Sequence, residues 1–279
     1  MKDVKPLPVL MTALVSTRGM KKAFFSDEER ERMYVETLNY YIKSLLANEN
    51  QSIVFAENSG WDMEHLKGQL NEYDPNRLIF ISLSPELFDI SKGKGYNELL
   101  MMNMAIRESP VIQDAGGFVK VTGRYPIFNL SYFVEKATDA LALGKVLYCD
   151  IKDHKIYDWL RLGWEGHSFF SLLYGVRNDY YWQHIAPKYT ELNDYDGHLV
   201  EGMLYNLMVE ENALGRYKWR GETGGGRVSA RFKREPICGG LQGSRISAWS
   251  FSADQNDWKS QVKRFAGNCI RCLTPWFWF

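Results

Sequence analysis

The sequence predicts an α/β domain in which one central, mostly parallel sheet is flanked by helices, with a C-terminal subdomain of helices and loops. Short apolar runs of strand length alternate with helix-like segments over the first 153 residues. Such alternation is typical of a parallel sheet covered by helices. The 279 residues, 45% of them hydrophobic, are enough for one sizeable domain or one domain with an appended subdomain.

The alternation can be followed element by element through residue 153. Apolar runs at 7–16 and 51–60 predict the first two strands, and Ser26 opens a helix whose early acidic residues suit the helix dipole. The later elements are a helix at 63–73, a strand at 76–84, a helix at 96–109, a strand beginning at Phe118, a helix near 130–143 and a strand at 145–153. Right-handed crossovers place the carboxyl ends of such strands on one edge, where ligands of open α/β sheets bind.

The pattern is looser after residue 153. The aromatic-rich segment 167–185 is predicted to be a helix, the polar segment 190–197 a loop, and 198–212 another helix. We expect region 154–254 to complete a site built on 1–153. Region 255–279 combines helically spaced apolar residues with four cations and ends in four aromatic residues, which predicts a basic amphipathic helix.

Composition excludes several classes of protein. Lys and Arg together number 34, as do Asp and Glu, so no global positive field favours nucleic acid and any anionic ligand must be met by local cations. The apolar run near the N-terminus is short and contains two prolines, which favours a strand over a secretion signal, and no run approaches the roughly 20 apolar residues of a membrane span. Four cysteines agree with a reducing, cytoplasmic location, and the pair Cys269 and Cys272 is interpreted as packing residues rather than a zinc or redox site.

Two segments at the expected carboxyl edge have the chemistry of an anion site. In "SKGKGY", glycines let the backbone approach a ligand while Lys92, Lys94 and the next helix supply positive charge, although an ordinary solvated turn has the same composition. In "KVTGRY", Lys120 and Thr122 share one face of the strand, and Arg124 joins them if the strand persists. Alternatively, Arg124 pairs with Glu98 or another carboxylate at the edge of the core.

The order of five short motifs resembles bacterial sugar transferases of capsule and O-antigen clusters. These motifs are "ENSG", "GKGYNE", "KVTGRYPIFN", "GHLVEGMLY" and "PICGGLQGSR". The resemblance implies a GT-A-like fold and a hexosyltransferase that uses a nucleoside-diphosphate sugar, expected to be uridine-based. It further implies a nucleotide-sugar-binding core at 1–153 and an acceptor-side, site-closing region at 154–254. The residues then expected to bind the donor are Glu57, Asn58, Lys92, Lys94, Gly95, Lys120, Thr122, Gly123, Tyr125, Ser244 and Arg245.

The motif "TGRY" stands where GT-A enzymes usually carry an Asp-x-Asp metal-binding signature. A planar arginine assisted by a lysine can neutralise a departing diphosphate, so Arg124 and Lys120 are predicted to replace the metal clamp or to orient the sugar beside it. Asp150 and Asp153 in "CDIKD" could instead hold Mg²⁺ or Mn²⁺. Paired acids at a strand end are more often merely solvated.

Direct displacement requires a base that takes the proton of the acceptor hydroxyl. Glu201, early in the predicted helix after the polar loop, is the preferred base and Asp196 the second choice. Helix capping and dipole compensation alone would also explain both residues. Ser244 and Arg245 could fold over the donor phosphates, and a tight turn between strands is the alternative for their glycine-rich segment.

Region 255–279 suits the surface of an anionic membrane, where an acceptor linked to a polyprenyl diphosphate would lie. The same apolar stripe would equally suit packing against the body of the protein or a second subunit. A different class of function also fits the aromatic content: a non-catalytic carbohydrate- or nucleotide-binding module. Phosphoryl transfer is disfavoured because the sequence has no Walker-type loop.

Overall fold

The computed structural model describes residues 5–18, 25–153, 167–211, 222–223 and 228–231. Apolar segments of these ranges form eight strands of one sheet in the order β3-β2-β1-β4-β6-β5-β8-β7. The strands are β1 (Val9–Ala13), β2 (Ile53–Glu57), β3 (Leu78–Ser82), β4 (Gly117–Thr122), β5 (Leu147–Asp153), β6 (His167–Arg177), β7 (Glu222–Thr223) and β8 (Val228–Arg231).

The pairing pattern confirms the predicted mostly parallel sheet. Strand β1 is parallel to β2 and β4, and β2 is parallel to β3. Strand β6 runs antiparallel to both β4 and β5, so β5 points the same way as β1 to β4, and β8 is parallel to β5. Strand β7 is antiparallel to β8. All the described strands except β6 and β7 therefore point in one direction.

Helices fill the connections that parallel strands require. They are α1 (Asp27–Ser44), α2 (Met63–Lys67), α3 (Lys94–Glu108), α4 (Pro110–Ala115), α5 (Leu130–Ala142) and α6 (Val200–Glu210). Helix α1 begins as predicted: the Ser26 hydroxyl accepts from the Glu29 amide, and the Glu29 carboxylate accepts from the Ser26 amide. Helix α2 is shorter than the predicted 63–73: it ends at Lys67, with Gly68 as its C-cap residue. No helix in these described ranges is long and apolar enough to cross a membrane.

The two faces of the sheet carry separate apolar cores. On one face, β-strand residues such as Val9 and Val121 pack with Leu38 of α1 and Phe133 of α5. On the other face, Leu10 and Phe118 pack with side chains of α3, α4 and α6. The sheet is therefore a middle layer between helices, as the sequence pattern predicts.

The predicted aromatic-rich helix at 167–185 is wrong over most of its length. Residues His167–Arg177 form β6, and only Asn178–Tyr180 and the π-helical turn Tyr181–Ile185 are helical, before a 3-10 turn at Ala186–Glu191. Phenylalanine, tyrosine, leucine and valine suit a strand as well as a buried helix, so composition could not distinguish the two. Because β6 is buried between β4 and β5, apolar side chains face both cores, and the alternation that marks a half-exposed strand is lost.

The chain reverses its direction of travel across the sheet between β1 and β4. From β1 it proceeds to β2 and β3 on one side, then returns to place β4 on the other side of β1. Helix α1 follows β1 on one face, and α3 precedes β4 on the opposite face. Such a switch point leaves a crevice at the carboxyl ends of its two strands, where α/β sheets bind ligands.

Candidate functional site

A tight turn follows β4 at this switch point. The Gly123 amide donates to the Thr12 carbonyl oxygen at 3.0 Å. A Cβ atom on Gly123 would lie 2.9 Å from that oxygen and 3.0 Å from the Tyr34 ring, so only glycine fits without displacement. The strand ends at Thr122. Arg124 therefore does not continue along one strand face with Lys120 and Thr122, which corrects that part of the prediction.

Arg124 lies in the turn after β4, close to two aromatic rings. Its guanidinium carbon is 5.1 Å from the centre of the Tyr125 ring and 5.9 Å from that of Phe25. The side chain is half-buried, and none of the described carboxylates forms an ion pair with it. The alternative pairing of Arg124 with Glu98 is thus not the arrangement found, because Glu98 pairs with Lys120 instead.

Arg30 of α1 is a second cation at the site, and sequence analysis missed it. Its Nε donates to the carbonyl oxygens of Leu14 and Val15 at 3.0 and 2.9 Å, just beyond the end of β1, and its Nη2 also donates to Leu14. The residue is only 6% exposed. An arginine in the first turns of an acidic helix gives no sequence signal of such a role, because it usually pairs with its acidic neighbours in solvent.

Lys94, the first residue of α3, is the third cation at the site. Arg124 and Arg30 both repel it. We call Arg30, Lys94 and Arg124 the cation cluster. Desolvation followed by repulsion from Arg124 and Arg30 lowers the pKa of Lys94, and attraction from Asp194 and Glu98 opposes the shift. Burial, together with repulsion from Arg124, lowers the pKa of Arg30. Like charges that are close enough to repel one another favour an anion between them.

The hydroxyl of Tyr125 lies beside the cation cluster without a hydrogen-bond partner among the described residues. Tyr125 is 5% exposed, and its hydroxyl oxygen is buried. Burial raises the pKa of this hydroxyl, and the charges of Arg124 and Arg30 oppose the rise, so the group is a neutral donor at physiological pH. A buried donor without a partner is costly and points to a missing acceptor.

Lys120 is deeply buried in a network of polar side chains on the α3 face of the sheet. Its side chain is 1% exposed, and Nζ lies 2.9 Å from Glu98 Oε1, 3.0 Å from Thr122 Oγ1 and 2.9 Å from the Ser171 carbonyl oxygen. Thr12 Oγ1 donates to the same Glu98 oxygen at 2.7 Å. Lys120 and Thr122 thus share a face as predicted, but their polar atoms satisfy each other. Direct donor binding by Lys120 remains a prediction.

Glu201 joins this network from the first turn of α6. Ser171 Oγ donates to Glu201 Oε1 at 2.6 Å, while the carbonyl of Ser171 accepts from Lys120. We call Thr12, Glu98, Lys120, Thr122, Ser171 and Glu201 the polar network. The preferred base is therefore linked through Ser171 to Lys120 of β4, the strand that precedes Arg124.

An irregularity in β6 allows Ser171 to make both contacts. Cys149 pairs with Tyr174, whereas Ile151 pairs with Phe169, so 170–173 of β6 lie opposite the single residue Asp150. Extra residues of this kind bend a strand and redirect its side chains, often beside active sites. The bulge thus turns Ser171 towards α6 rather than into a regular ladder.

The predicted phosphate-binding site at the start of α3 is occupied by a carboxylate of the protein itself, that of Asp194. The amide of Lys94 donates to Asp194 Oδ2 at 2.6 Å, and the Gly95 amide lies 3.3 Å from both carboxylate oxygens. The Asp194 amide donates to the carbonyl of Lys92 at 3.1 Å. Any phosphate at Lys92, Lys94 and Gly95 would have to compete with this carboxylate.

Glu57 and Asn58 lie at the end of β2 but are buried. The fully buried Glu57 carboxylate accepts from the amides of Val15, Ser59 and Trp61 and from the Ser59 hydroxyl. It therefore shapes the loops after β1 and β2, and donor contact by Glu57 stays a prediction. Asn58 is 3% exposed and its Oδ1 atom has no partner within the described ranges.

The other residues predicted for the site lie in a loop, in β5 or outside the described ranges. Asp196 is exposed and accepts from Asn193 Nδ2 at 2.5 Å, and it does not cap α6, whose N-cap is Leu199 without a side-chain bond. The backbone of Asp150 and Asp153 lies in β5. Ser244 and Arg245 lie outside the described residues, as does region 255–279.

No protein-family model matches the chain, and no curated protein matches it. Several solved glycosyltransferase structures are similar to it. The galactosyltransferase LgtC, solved with donor and acceptor sugar analogs, has 10% identity and a TM-score of 0.45 over 82% of this chain and 74% of LgtC. The mannosyltransferase Ktr4p from S. cerevisiae has 8% identity and a TM-score of 0.40 over 71% of this chain and 63% of that protein. Mouse xyloside xylosyltransferase 1 has 12% identity and a TM-score of 0.41 over 66% of this chain and 71% of its own. At these values the likeness assigns neither donor nor acceptor.

Proposed function

We propose that this protein is a GT-A-like glycosyltransferase that moves a sugar from a nucleoside diphosphate, uridine-based, to a glycan acceptor. One observation carries the proposal: Arg30 binds the carbonyl oxygens just beyond β1, Lys94 begins α3, Arg124 follows β4, and the three side chains are close enough to repel one another. A pyrophosphate carries several negative charges in a small volume and is the kind of ligand that such a cluster favours.

In direct displacement, the acceptor oxygen attacks the anomeric carbon as the bond from that carbon to the diphosphate oxygen breaks. The electron pair of the broken bond leaves with the nucleoside diphosphate, and the cation cluster stabilises that growing charge. Arg124 can donate two hydrogen bonds from one plane, which matches the geometry of a diphosphate. The buried Tyr125 hydroxyl would supply a further neutral donor once an acceptor oxygen arrives.

The proton of the acceptor hydroxyl passes to Glu201 in the proposed reaction. The hydrogen bond from Ser171 fixes one oxygen of this carboxylate, and the start of α6 lies beside the start of α3, where a Cβ on Gly95 would be 3.4 Å from Val200 Cβ. The base and the cation cluster thus lie at the same edge of the sheet. Asp196 is a weaker candidate because it is exposed in the loop and bonded to Asn193.

Whether the site could bind a divalent metal depends on the side chains that are available as ligands. The described residues include no group of three or more His, Cys, Asp or Glu that could bind a metal ion. The centre of the site is instead cationic, which disfavours a further positive charge there. Mg²⁺ or Mn²⁺ on Asp150 and Asp153 therefore stays a prediction, and the chemistry above is assigned to the side chains of the chain.

The experiment is calorimetric titration with UDP, followed by hydrolysis assays on a panel of nucleotide sugars with and without EDTA. We expect UDP binding in wild type and a loss of about 100-fold or more in turnover for Arg124→Ala, the scale seen when one transition-state donor is removed. Arg32→Ala is the matched control, since Arg32 is an exposed arginine of α1 with a 70% exposed side chain. Normal turnover in Arg124→Ala would refute the proposal. UDP binding without hydrolysis of any nucleotide sugar would favour the non-catalytic binding module.

For the acceptor, we propose a lipid-linked or growing capsule or O-antigen glycan at the inner face of the membrane. The support is the motif resemblance and the basic, aromatic sequence of region 255–279. Sedimentation with anionic phosphatidylglycerol vesicles tests the membrane contact. We expect co-sedimentation that weakens at high salt and is absent with neutral phosphatidylcholine vesicles, and equal recovery with both lipids would contradict it.

A further inference from the structure

The Asp194 carboxylate lies at the N-terminus of α3, beside Lys94 of the cation cluster. Its carboxylate accepts from the first two amides of α3 and lies close enough to Lys94 to raise that group's pKa against the effect of neighbouring cations. The backbone is shaped around it: Gly93 has a φ of +86°, and a Cβ there would lie 2.5 Å from Asp194 Cβ. Asp194 is 99 residues beyond Gly95 in the chain, so this is a tertiary contact rather than a local cap.

The contact leaves the cluster only partly neutralised. Asp194 attracts Lys94 and Asp27 attracts Arg30, whereas Glu98, the other anion near Lys94, is paired with Lys120. None of the described carboxylates forms an ion pair with Arg124. The buried Tyr125 hydroxyl still lacks an acceptor, which is an independent sign that the site takes a larger anion than Asp194. A diphosphate has both the charge and the number of oxygens to satisfy these groups, provided that Asp194 yields the two amides.

We propose that Asp194 is an internal competitor for the donor diphosphate and thereby sets the affinity of the site. It holds the amides of Lys94 and Gly95 when no ligand is bound, gives them up when the nucleotide sugar enters, and takes them back as the nucleoside diphosphate leaves. This inference rests on the proposed function of the same site. Its consequence is weaker binding of the product than the cations alone would give.

The test compares UDP and inorganic pyrophosphate binding by calorimetry in wild type, Asp194→Asn and Glu191→Gln. Asparagine keeps an oxygen that can accept from the α3 amides and is a good helix cap, but it lacks the charge that competes with phosphate. We expect both ligands to bind Asp194→Asn about fivefold or more tightly than wild type, a shift typical of coupled sites. Glu191→Gln removes the same charge from an exposed residue three positions earlier and should not change affinity.

Thermal unfolding of each variant separates this role from simple capping, which predicts a lower Tm and no gain in affinity. If Asp194→Asn does not fold, Asp194→Ser offers another neutral capping oxygen. Unchanged or weaker binding in the folded variant, or an equal gain in Glu191→Gln, would overturn the inference while UDP binding by wild type leaves the proposed function standing. Absence of UDP binding in wild type would overturn both.

Discussion

Two cations of the segment "KVTGRY" have opposite surroundings. Lys120 lies within β4 and is enclosed by the polar network, where a carboxylate, a hydroxyl and a carbonyl oxygen surround its ammonium group. Arg124 lies four residues later in the turn, close to two aromatic rings and to other cations. The hydrogen bonds of Lys120 are all made within the fold, whereas Arg124 can still donate hydrogen bonds to a ligand.

The difference shows how two cations of one motif can have separate roles, one in stability and the other in ligand binding. A buried ammonium needs a full set of partners because desolvation is costly, so Lys120 is fixed by the framework. Cations that repel one another reduce stability, and they persist where a ligand offsets the repulsion. We therefore expect substitutions in the polar network to affect mainly folding, and substitutions in the cation cluster to affect mainly binding.

The largest effect on stability is expected for Lys120→Met. Removing the lysine leaves Glu98 without its partner beside the core, which should lower the free energy of unfolding by about 3 kcal/mol. Arg124→Met should change it by no more than about 1 kcal/mol, because lost ring contacts and relieved repulsion oppose each other. Urea unfolding followed by circular dichroism measures both.

The double variant Lys120→Met with Glu98→Gln is the control for this comparison. Neutralising both partners should recover part of the stability, since no unpaired charge is left. If Lys120→Met and Arg124→Met lowered the free energy of unfolding equally, the proposed difference between a structural Lys120 and a ligand-binding Arg124 would be wrong.

A smaller effect on stability is expected for a substitution of Gly123, which lies between β4 and Arg124. Gly123→Ala places a methyl group against the Thr12 carbonyl oxygen, a backbone atom of β1 that cannot move freely. We expect a loss of about 1–3 kcal/mol in unfolding free energy, the usual range for overpacking, together with weaker UDP binding because the turn carries Arg124. Gly202→Ala in α6 is the control, since nothing lies within 4 Å of its added Cβ. A neutral Gly123→Ala would mean that the turn adapts without strain.

Most of the fold follows from local patterns, with one exception that depends on tertiary context. Strands β1, β2, β3 and β5 and helices α1, α5 and α6 fall within segments predicted from apolar periodicity and capping. Helix α3 begins two residues, and β4 one residue, before its predicted start. Segment 167–177 was misassigned because β6 is buried on both faces, so its apolar residues lose the period of two. Only its position between β4 and β5, which sequence does not reveal, makes it a strand.

The candidate site was partly predictable for a related reason. Glycines and cations near predicted strand ends indicated Lys94, Gly123 and Arg124, because alternating strands and helices with right-handed crossovers place the carboxyl ends of the strands on one edge. Arg30 and Ser171 gave no such signal: one is an ordinary helical arginine, and the other depends on a bulge. The partner of Lys120 was also hidden, since the pairing with Glu98 requires the packing of α3 on the sheet.

The smallest expected effect concerns the pKa of Lys94, which reports the cation cluster directly. Desolvation and then repulsion from Arg124 and Arg30 lower this pKa below the ordinary lysine value, so the folded protein releases the proton at lower pH than the unfolded chain. In the interval between the two pKa values the unfolded state binds more protons, and stability rises with pH there. Anion binding should weaken over the same interval, because the ammonium charge is being lost.

Arg124→Met should raise the pKa of Lys94 towards its ordinary value, since it removes the strongest repulsive charge while leaving desolvation in place. Titration of side-chain ¹⁵N and ¹³C resonances measures the shift, with Lys94→Arg assigning the signal. Arg32→Met is the control, because Arg32 is exposed on α1 and does not contribute to the shift at Lys94. A pKa that stays constant in Arg124→Met would mean that Arg124 does not repel Lys94. The three cations would then not act as one cluster, and the contrast between Arg124 and Lys120 would lose its electrostatic basis.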